Sequence, residues 1–291
     1  MHDNELRKLV EIRVHRPAAV AEAAALRLRP SSLLGEHGRL MMIAADHPAR
    51  AALRAGDRPT VMGDRIDLLD RLCLALSRPG VNGVLGTPDI LEDLLLLGAL
   101  DGKVAVGSMN RGGLVGTTFE VDDRFTAYDA GSVAAARLEG GKMLIRIDAG
   151  DRATAATLES CGRAVSELAG RGLMAMIEPF IVSRVDGQLA NELTAAAMVR
   201  AISIASGLGN TSAYTWLKVP VVGEMERVMA ASTLPALILG GEVRDDPDAT
   251  LAGWEKALSL PTVQGLVIGR SLLYPHGDNV AAAVDAAVGL L

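Results

Sequence analysis

Four apolar runs each carry charge where a buried strand would carry none. Asp46 closes "LMMIAAD", Lys142 and Arg146 lie within "KMLIRID", Glu178 interrupts "LMAMIEPFIV", and Lys218 stands in the middle of "TWLKVPVV". A buried ammonium costs several kcal/mol unless it is paired or loses its proton. Strand side chains alternate between two faces, so residues of one parity point the same way. By that period Met42, Ala44 and Asp46 share a face, as do Lys142, Leu144, Arg146 and Asp148. Met174, Met176 and Glu178 share another, and Trp216, Lys218 and Pro220 a fourth. The opposite faces are nearly pure apolar and suit packing against helices. The charged faces then turn toward one interior, where Asp46, Lys142, Arg146, Glu178 and Lys218 converge.

Two lysines and two carboxylates in one interior have a chemical use. A lysine near a second cation and partly desolvated has a neutral amine available as a nucleophile. It attacks a ketone and forms an iminium, an electron sink that lets a neighbouring C–C bond break. A carboxylate moves the protons of the carbinolamine and of the substrate hydroxyl. Lys218 is the candidate imine former, Glu178 and Asp46 the candidate acid/base groups, and Lys142 the second lysine. The plainer reading is structural ion pairing, Lys142 with Asp148 or Lys218 with Glu178. For any one residue the two readings weigh about equally; for a set arriving on four strands the chemical one is stronger.

The elements that must position these residues follow a repeat. After residues 1–38, read as a helical extension broken at Pro17 and Pro30, eight apolar strand segments alternate with helical ones. The strands start at "LMMIAAD", "VNGVLG", "KVAVGSM", "KMLIRID", "LMAMIEPFIV", "TWLKVPVV", "ALILGG" and "VQGLVIG". Strands apolar on both faces are those of a parallel sheet covered by helices. Eight such units predict an α/β fold, a single (β/α)8 barrel over residues 39–291. A doubly wound open sheet would want a glycine-rich fingerprint after its first strand, and "AADHPARAAL" has none. A barrel carries its active site at the C-terminal ends of its strands.

Two of those ends are rich in glycine. The seventh strand ends "LGGEV" and the eighth "IGRSLLYP". Loops after these strands are the common phosphate site of the fold, and Gly240, Gly241 and Gly269 let backbone N–H groups approach an anion while Arg270 adds a charged donor. A second anionic group would need a cation across the mouth. Arg111, Arg146 and Arg184 fall at or after the ends of the third, fourth and fifth strands, and Arg111, flanked by two glycines in its loop, is slightly favoured.

With these residues placed, the chain resembles the class I, Schiff-base aldolases of the tagatose-bisphosphate and sulfofructose-phosphate group, and more distantly the archaeal-type fructose-bisphosphate and deoxyribose-phosphate aldolases. "IAADHPARAAL" is similar to the family's first strand with its aspartate, "GGKMLIRID" to its fourth-strand lysine motif, and "MIEPF" to its fifth-strand glutamate. "YTWLKVPV" resembles the segment around the iminium lysine, and "VIGRSLLY" the glycine–arginine phosphate motif. The resemblance covers residues 39–291. It implies a lysine-iminium aldolase, an aldehyde-lyase that cleaves a phosphorylated keto-sugar to dihydroxyacetone phosphate and an aldehyde. Neither metal nor cofactor is implied. Similar actinobacterial proteins accompany inositol-breakdown enzymes, which makes 2-deoxy-5-keto-gluconate 6-phosphate a candidate substrate. Pro220 and His47 depart from the family's residues, and "SMNRGGLVGTTFEVDDRFTAYD" has no counterpart in it.

Bulk properties narrow the partners. The net charge is −6 and aromatic residues make up 3% of the 291, which disfavours nucleic acid as a partner. No apolar run approaches the ~20 residues of a membrane span, and the charged start "MHDNELRKLVEIRVHRP" is not a signal peptide. The expectation is a cytoplasmic protein acting on a small phosphorylated sugar, without a membrane partner and associating as a homo-oligomer through alanine-rich outer helices. Cys73 and Cys161 read as small core residues. Of the five histidines, His2, His15, His37, His47 and His276, only the last two fall near strand ends, too few for a zinc-dependent aldolase. His47 reads as a polar lining residue. A phosphosugar isomerase or epimerase, or a non-catalytic phosphosugar-binding barrel, are the rival functions. The isomerase would do proton transfer with a carboxylate and a lysine; the binding barrel makes no demand for an inward nucleophilic lysine.

Overall fold

The computed structural model describes residues 3–35, 37–243 and 246–291. His2 of the predicted extension therefore lies outside the described residues. Eight parallel strands close into a barrel: β1 (Leu40–Ala44), β2 (Gly83–Gly86), β3 (Val104–Ser108), β4 (Gly140–Ile147), β5 (Met174–Val185), β7 (Thr215–Pro220), β8 (Ala236–Leu239) and β9 (Val263–Ile268). Each pairs with the next along the chain, and β9 pairs with β1 to complete the ring. The fold is a TIM barrel, as the eightfold repeat predicts.

β6 (Gln188–Asn191) is an addition that the strand–helix pattern does not anticipate. It folds back antiparallel on the end of β5, with Val182 opposite Asn191 and Val185 opposite Gln188. Asp186 and Gly187 both take positive φ, 51° and 78°, which is the two-residue hairpin turn that Asp-Gly favours. β5 thus runs past the barrel mouth, and the loop read between the fifth strand and its helix is a hairpin.

The sequence explains the helices between the strands. α3 (Arg65–Ser77), α6 (Ala153–Ala169), α7 (Ala195–Ser206), α9 (Pro247–Leu258) and α11 (Val280–Val288) bury one apolar stripe each, such as Leu68, Leu69, Leu72, Ala75 and Leu76 of α3. Asp64, Thr194, Asp246 and Asn279 cap four of them by accepting from backbone N–H groups. α4 (Pro88–Leu96) is as short as α11, nine residues, and α5 (Ala130–Ala135), α8 (Met225–Met229) and α10 (Arg270–Leu273) are single turns or little more. Gly265 is required by its neighbour: a Cβ there would stand 1.9 Å from the carbonyl oxygen of Leu40, and its φ is 147°. That glycine lets β9 approach β1 where the ring closes.

α1 (Asp3–His15) and α2 (Ala19–Leu26) precede the barrel, with Pro17 between them. Arg13 reaches Asp93 of α4 at 2.8 Å. After α2, Arg27 enters the N-terminal end of the barrel. It donates to the carbonyls of Lys103 and Arg137 and to both oxygens of Glu139, at 2.9 and 3.1 Å. Glu139 also accepts from Arg29 and from the backbone N–H of Ala105. Arg27 and Glu139 are both buried. Removing one partner of a buried pair leaves an uncompensated charge and costs ~3–5 kcal/mol. Glu139→Gln, which keeps the shape, is expected to lower unfolding stability by about 3 kcal/mol in urea titration. A loss under about 1 kcal/mol would mean that water compensates Arg27.

Candidate active site

At the C-terminal ends of the strands the barrel opens into a cavity of about 610 Å³. Its floor is a row of ionisable groups. Lys142 of β4 sits between two carboxylates, 3.0 Å from Asp46 Oδ2 and 2.5 Å from Glu178 Oε2. Glu178 of β5 presents its other oxygen to Lys218 of β7 at 3.0 Å. Asp46 also accepts from Ser108 Oγ of β3 at 3.2 Å and faces Arg111 Nη1 at 3.1 Å. The row therefore reads Asp46–Lys142–Glu178–Lys218. Of the two pairings in the plainer reading of the sequence, Lys218 with Glu178 forms and Lys142 with Asp148 does not. Asp148 instead turns the chain after β4, where its carboxylate accepts from the N–H of Gly150.

Strand register explains the row. Leu144 of β4 pairs with Glu178, and Ile177 of β5 pairs with Leu217, so Glu178 stands beside Lys218 on the inward parity. Ser108 pairs with Lys142. Ile43, Ile145, Ile177, Leu217 and Val219, on the opposite parity, are fully buried apolar residues.

Burial and charge work against each other here. Burial raises the affinity of Asp46 for a proton, but Lys142, Arg111 and Lys218 outweigh it and hold its carboxyl well below the usual range. Burial likewise opposes ionisation of Glu178, yet Lys142 and Lys218 bring it down to about 2. Burial pushes the Lys142 amine below its ordinary value against the pull of Asp46 and Glu178, with Lys218 and Arg111 assisting burial. His47 follows β1 and lines the cavity. Burial, then the nearby Arg270 and Lys218, lower it to about 3 against the pull of Asp46, so its ring is neutral.

The predicted anion-binding residues divide into three groups. Gly240, Gly241, Gly269 and Arg270 come together on one wall. Gly241 has φ 71°, and a Cβ on Gly269 would stand 2.6 Å from the carbonyl of Ala44 and 2.8 Å from His47 Cε1. On the opposite wall Arg111 and Arg146 also line the cavity, but both are already paired. Arg111 is buried; its Nη2 donates to the carbonyl of Asp46 at 2.5 Å. Arg146 donates to Asp123 and Glu120. Arg184 lies elsewhere. It belongs to the hairpin beyond the mouth, is 3.7 Å from Asp151, and does not line the cavity.

The segment from 109 to 129, which had no counterpart in the resemblance, forms this second wall. Asp123, fully buried, takes Arg50 from the loop after β1 and Arg146 from β4. The N–H of Val115 donates to the carbonyl of Arg50, and Asn110 bridges the N–H and carbonyl of Leu144. Arg50, Arg54, Ser108, Glu120 and Asp123 were missed in the sequence reading. No local signal marks them, because their partners are distant in the chain. The hairpin residues Leu189 and Asn191 also line the cavity and were missed as well, although the Asp186–Gly187 turn is a local signal that could have found them. Among the described residues no group of three or more His, Cys, Asp or Glu is placed to hold a metal ion. Cys73 and Cys161 are free thiols, and no described helix is long and apolar enough to cross a membrane.

The Cgl0159-like family model matches residues 38–288, and the chain belongs to that family. It is 51% identical to the crystal structure of Cgl0159 from Corynebacterium glutamicum, with a TM-score of 0.97, covering 100% of this chain and 97% of the other. An archaeal fructose 1,6-bisphosphate aldolase shares the fold at 18% identity and a TM-score of 0.66, covering 93% of this chain and 98% of that one. A fructose-bisphosphate aldolase from Slackia heliotrinireducens does so at 18% identity and 0.65, covering 85% and 78%. No curated protein matches the chain.

The neutral His47 has a consequence for stability. The folded chain protonates it only near 3, whereas an unfolded histidine takes a proton near 6.5. Between those values the unfolded chain binds the extra proton, so acid favours unfolding. The contribution is complete above 6.5 and is lost as pH falls toward 3. One proton corresponds to about 1.4 kcal/mol per pH unit. Urea unfolding between pH 7.5 and 4 should show a shallower acid loss for His47→Asn than for the parent chain. Parallel curves would mean that His47 titrates normally in the fold.

Proposed function

We propose that this member of the Cgl0159-like family is a class I aldolase of the tagatose-bisphosphate and sulfofructose-phosphate type. One observation carries the reading: the row Asp46–Lys142–Glu178–Lys218 ends in a lysine with one carboxylate on it and the cavity before it. Lys142, held between two carboxylates, has less freedom to attack. Lys218 is the nucleophile.

The Lys218 ammonium passes one proton to the Glu178 carboxylate at 3.0 Å, and the amine so formed adds to the ketone carbon of a phosphorylated keto-sugar. Glu178, now carrying that proton, returns it to the departing carbinolamine hydroxyl, and water leaves with formation of the iminium. A base removes the proton of the hydroxyl next to the scissile bond. The C–C bond then breaks, its electron pair moves to the iminium nitrogen, and an aldehyde departs. Protonation of the resulting enamine at carbon and hydrolysis release dihydroxyacetone phosphate and restore Lys218. Asp46 holds Lys142, and Lys142 holds Glu178 ionised and in place. The glycine wall with Arg270 takes the phosphate. The candidate substrate is 2-deoxy-5-keto-gluconate 6-phosphate, whose cleavage yields malonate semialdehyde.

Sodium borohydride reduces an iminium to a stable secondary amine. A panel of phosphorylated ketoses with borohydride should leave an adduct on Lys218 by mass spectrometry, and Lys218→Ala should leave none. Glu178→Gln should slow cleavage by about two to four orders of magnitude, the usual worth of a positioned acid/base. An isomerase or a binding barrel would show no adduct at all. Full cleavage by the Lys218→Ala chain would overturn the mechanism.

A further inference from the structure

The wall formed by Gly240, Gly241, Gly269 and Arg270 is not simply open to an anion. Arg270 Nη1 lies 2.6 Å from Glu242 Oε1, so a carboxylate of the chain already holds it. Glu242 directly follows the two glycines. Its side chain is 65% exposed, that of Arg270 only 13%. The arginine is fixed, with the carbonyl of Arg54 at 3.4 Å. The carboxylate is the partner that water can carry away. The Nε of Arg270 is buried and has no hydrogen-bond partner. Arg54 lines the same cavity, and its guanidinium has no ion-pair partner among the described residues. An acidic residue on this wall is therefore balanced against two cations, one of them without an ion-pair partner among the described residues.

The geometry points to Glu242 as an internal counter-anion that the phosphate of the ligand displaces, with Arg54 as the second cation of the phosphate subsite. Empty, this wall carries two arginines, Arg54 and Arg270, and one carboxylate, Glu242, among the described residues. With Glu242 swung into water it carries two positive charges, which match the two negative charges of a phosphate monoester. A ligand carboxylate would only exchange one single charge for another and leave Arg54 unmatched. Glu242 thus selects against singly charged anions at this wall. The phosphate itself rests on the proposed aldolase reading. The displacement does not depend on Lys218.

The test uses inorganic phosphate at pH 8, where it is a dianion, at constant ionic strength with the full chain. Calorimetry gives its dissociation constant for the parent, Glu242→Gln, Arg54→Ala and Arg270→Ala. An exposed ion pair is a weak competitor, so Glu242→Gln should bind phosphate about two- to fivefold more tightly. Acetate binding should change less. Arg54→Ala should weaken phosphate by about the same factor, and Arg270→Ala should weaken it most. Unchanged or weaker binding by Glu242→Gln would make Glu242 a ligand contact or a bystander and overturn the inference. So would unchanged binding by Arg54→Ala, or no phosphate binding by any of the four proteins. Borohydride trapping on the same preparations separates the two readings. An adduct with unaltered phosphate constants removes the counter-anion alone. Shifted constants without an adduct remove the aldolase alone.

Discussion

The ion pair between Lys142 and Glu178, both inside the barrel, is the constraint on which the site depends. Taking either charge out of water costs several kcal/mol, and only mutual attraction with further hydrogen bonds offsets it. Lys142 has its second partner in Asp46, and Glu178 has its second in Lys218. Each group is held because its neighbours are held. The interior cannot lose one member without leaving a buried charge unmatched, which explains why apolar strands carry these residues. The same arrangement places an amine, a carboxylate and open space side by side. The contacts that stabilise the charges are the same ones that the proposed reaction would use for proton transfer.

The row also makes the mouth asymmetric. Toward β3 and β4, internal carboxylates have claimed the arginines: Asp46 holds Arg111, and Asp123 holds Arg50 and Arg146. Asp123 is fully buried and lies in the segment after β3, so that segment is fastened to β1 and β4 by charge as well as by packing. Toward β8 and β9 the backbone is bare at three glycines and the arginine there faces an exposed carboxylate. Cations on the first wall stiffen the site and fix Asp46. On the second wall Arg270 has as its ion-pair partner a carboxylate that is itself exposed.

Much of this was legible in the sequence because the signals were local and periodic. Period-two alternation sufficed to put Asp46, Lys142, Glu178 and Lys218 on one interior, since a parallel strand buried on both faces has only two ways to point a side chain. The eightfold repeat sufficed for the barrel. The illegible parts are pairings across long stretches of chain. Arg50 and Asp123 are separated by 73 residues, and no local pattern tells an arginine that will find such a partner from one that faces water. Arg184 shows a different failure. Its position at a strand end was read rightly, but β5 continues beyond the mouth into a hairpin, so the strand end and the barrel end are not the same place.

Likeness of fold adds less to the functional reading than it would first suggest. The barrel supports many unrelated chemistries, so sharing it with aldolases at 18% identity fixes where an active site lies and not what it does. What separates this site from a generic barrel mouth is its own side chains. A lysine enclosed by two carboxylates, beside a second lysine with one, is an unfavourable thing to bury unless the unequal surroundings are used. The enclosed lysine keeps Glu178 ionised and oriented, and in the proposed reaction the less enclosed one meets the substrate. Exchanging their surroundings would preserve every charge in the barrel and remove the division of labour. That inequality, set by strand register, ties the order of residues along β4, β5 and β7 to a chemical role.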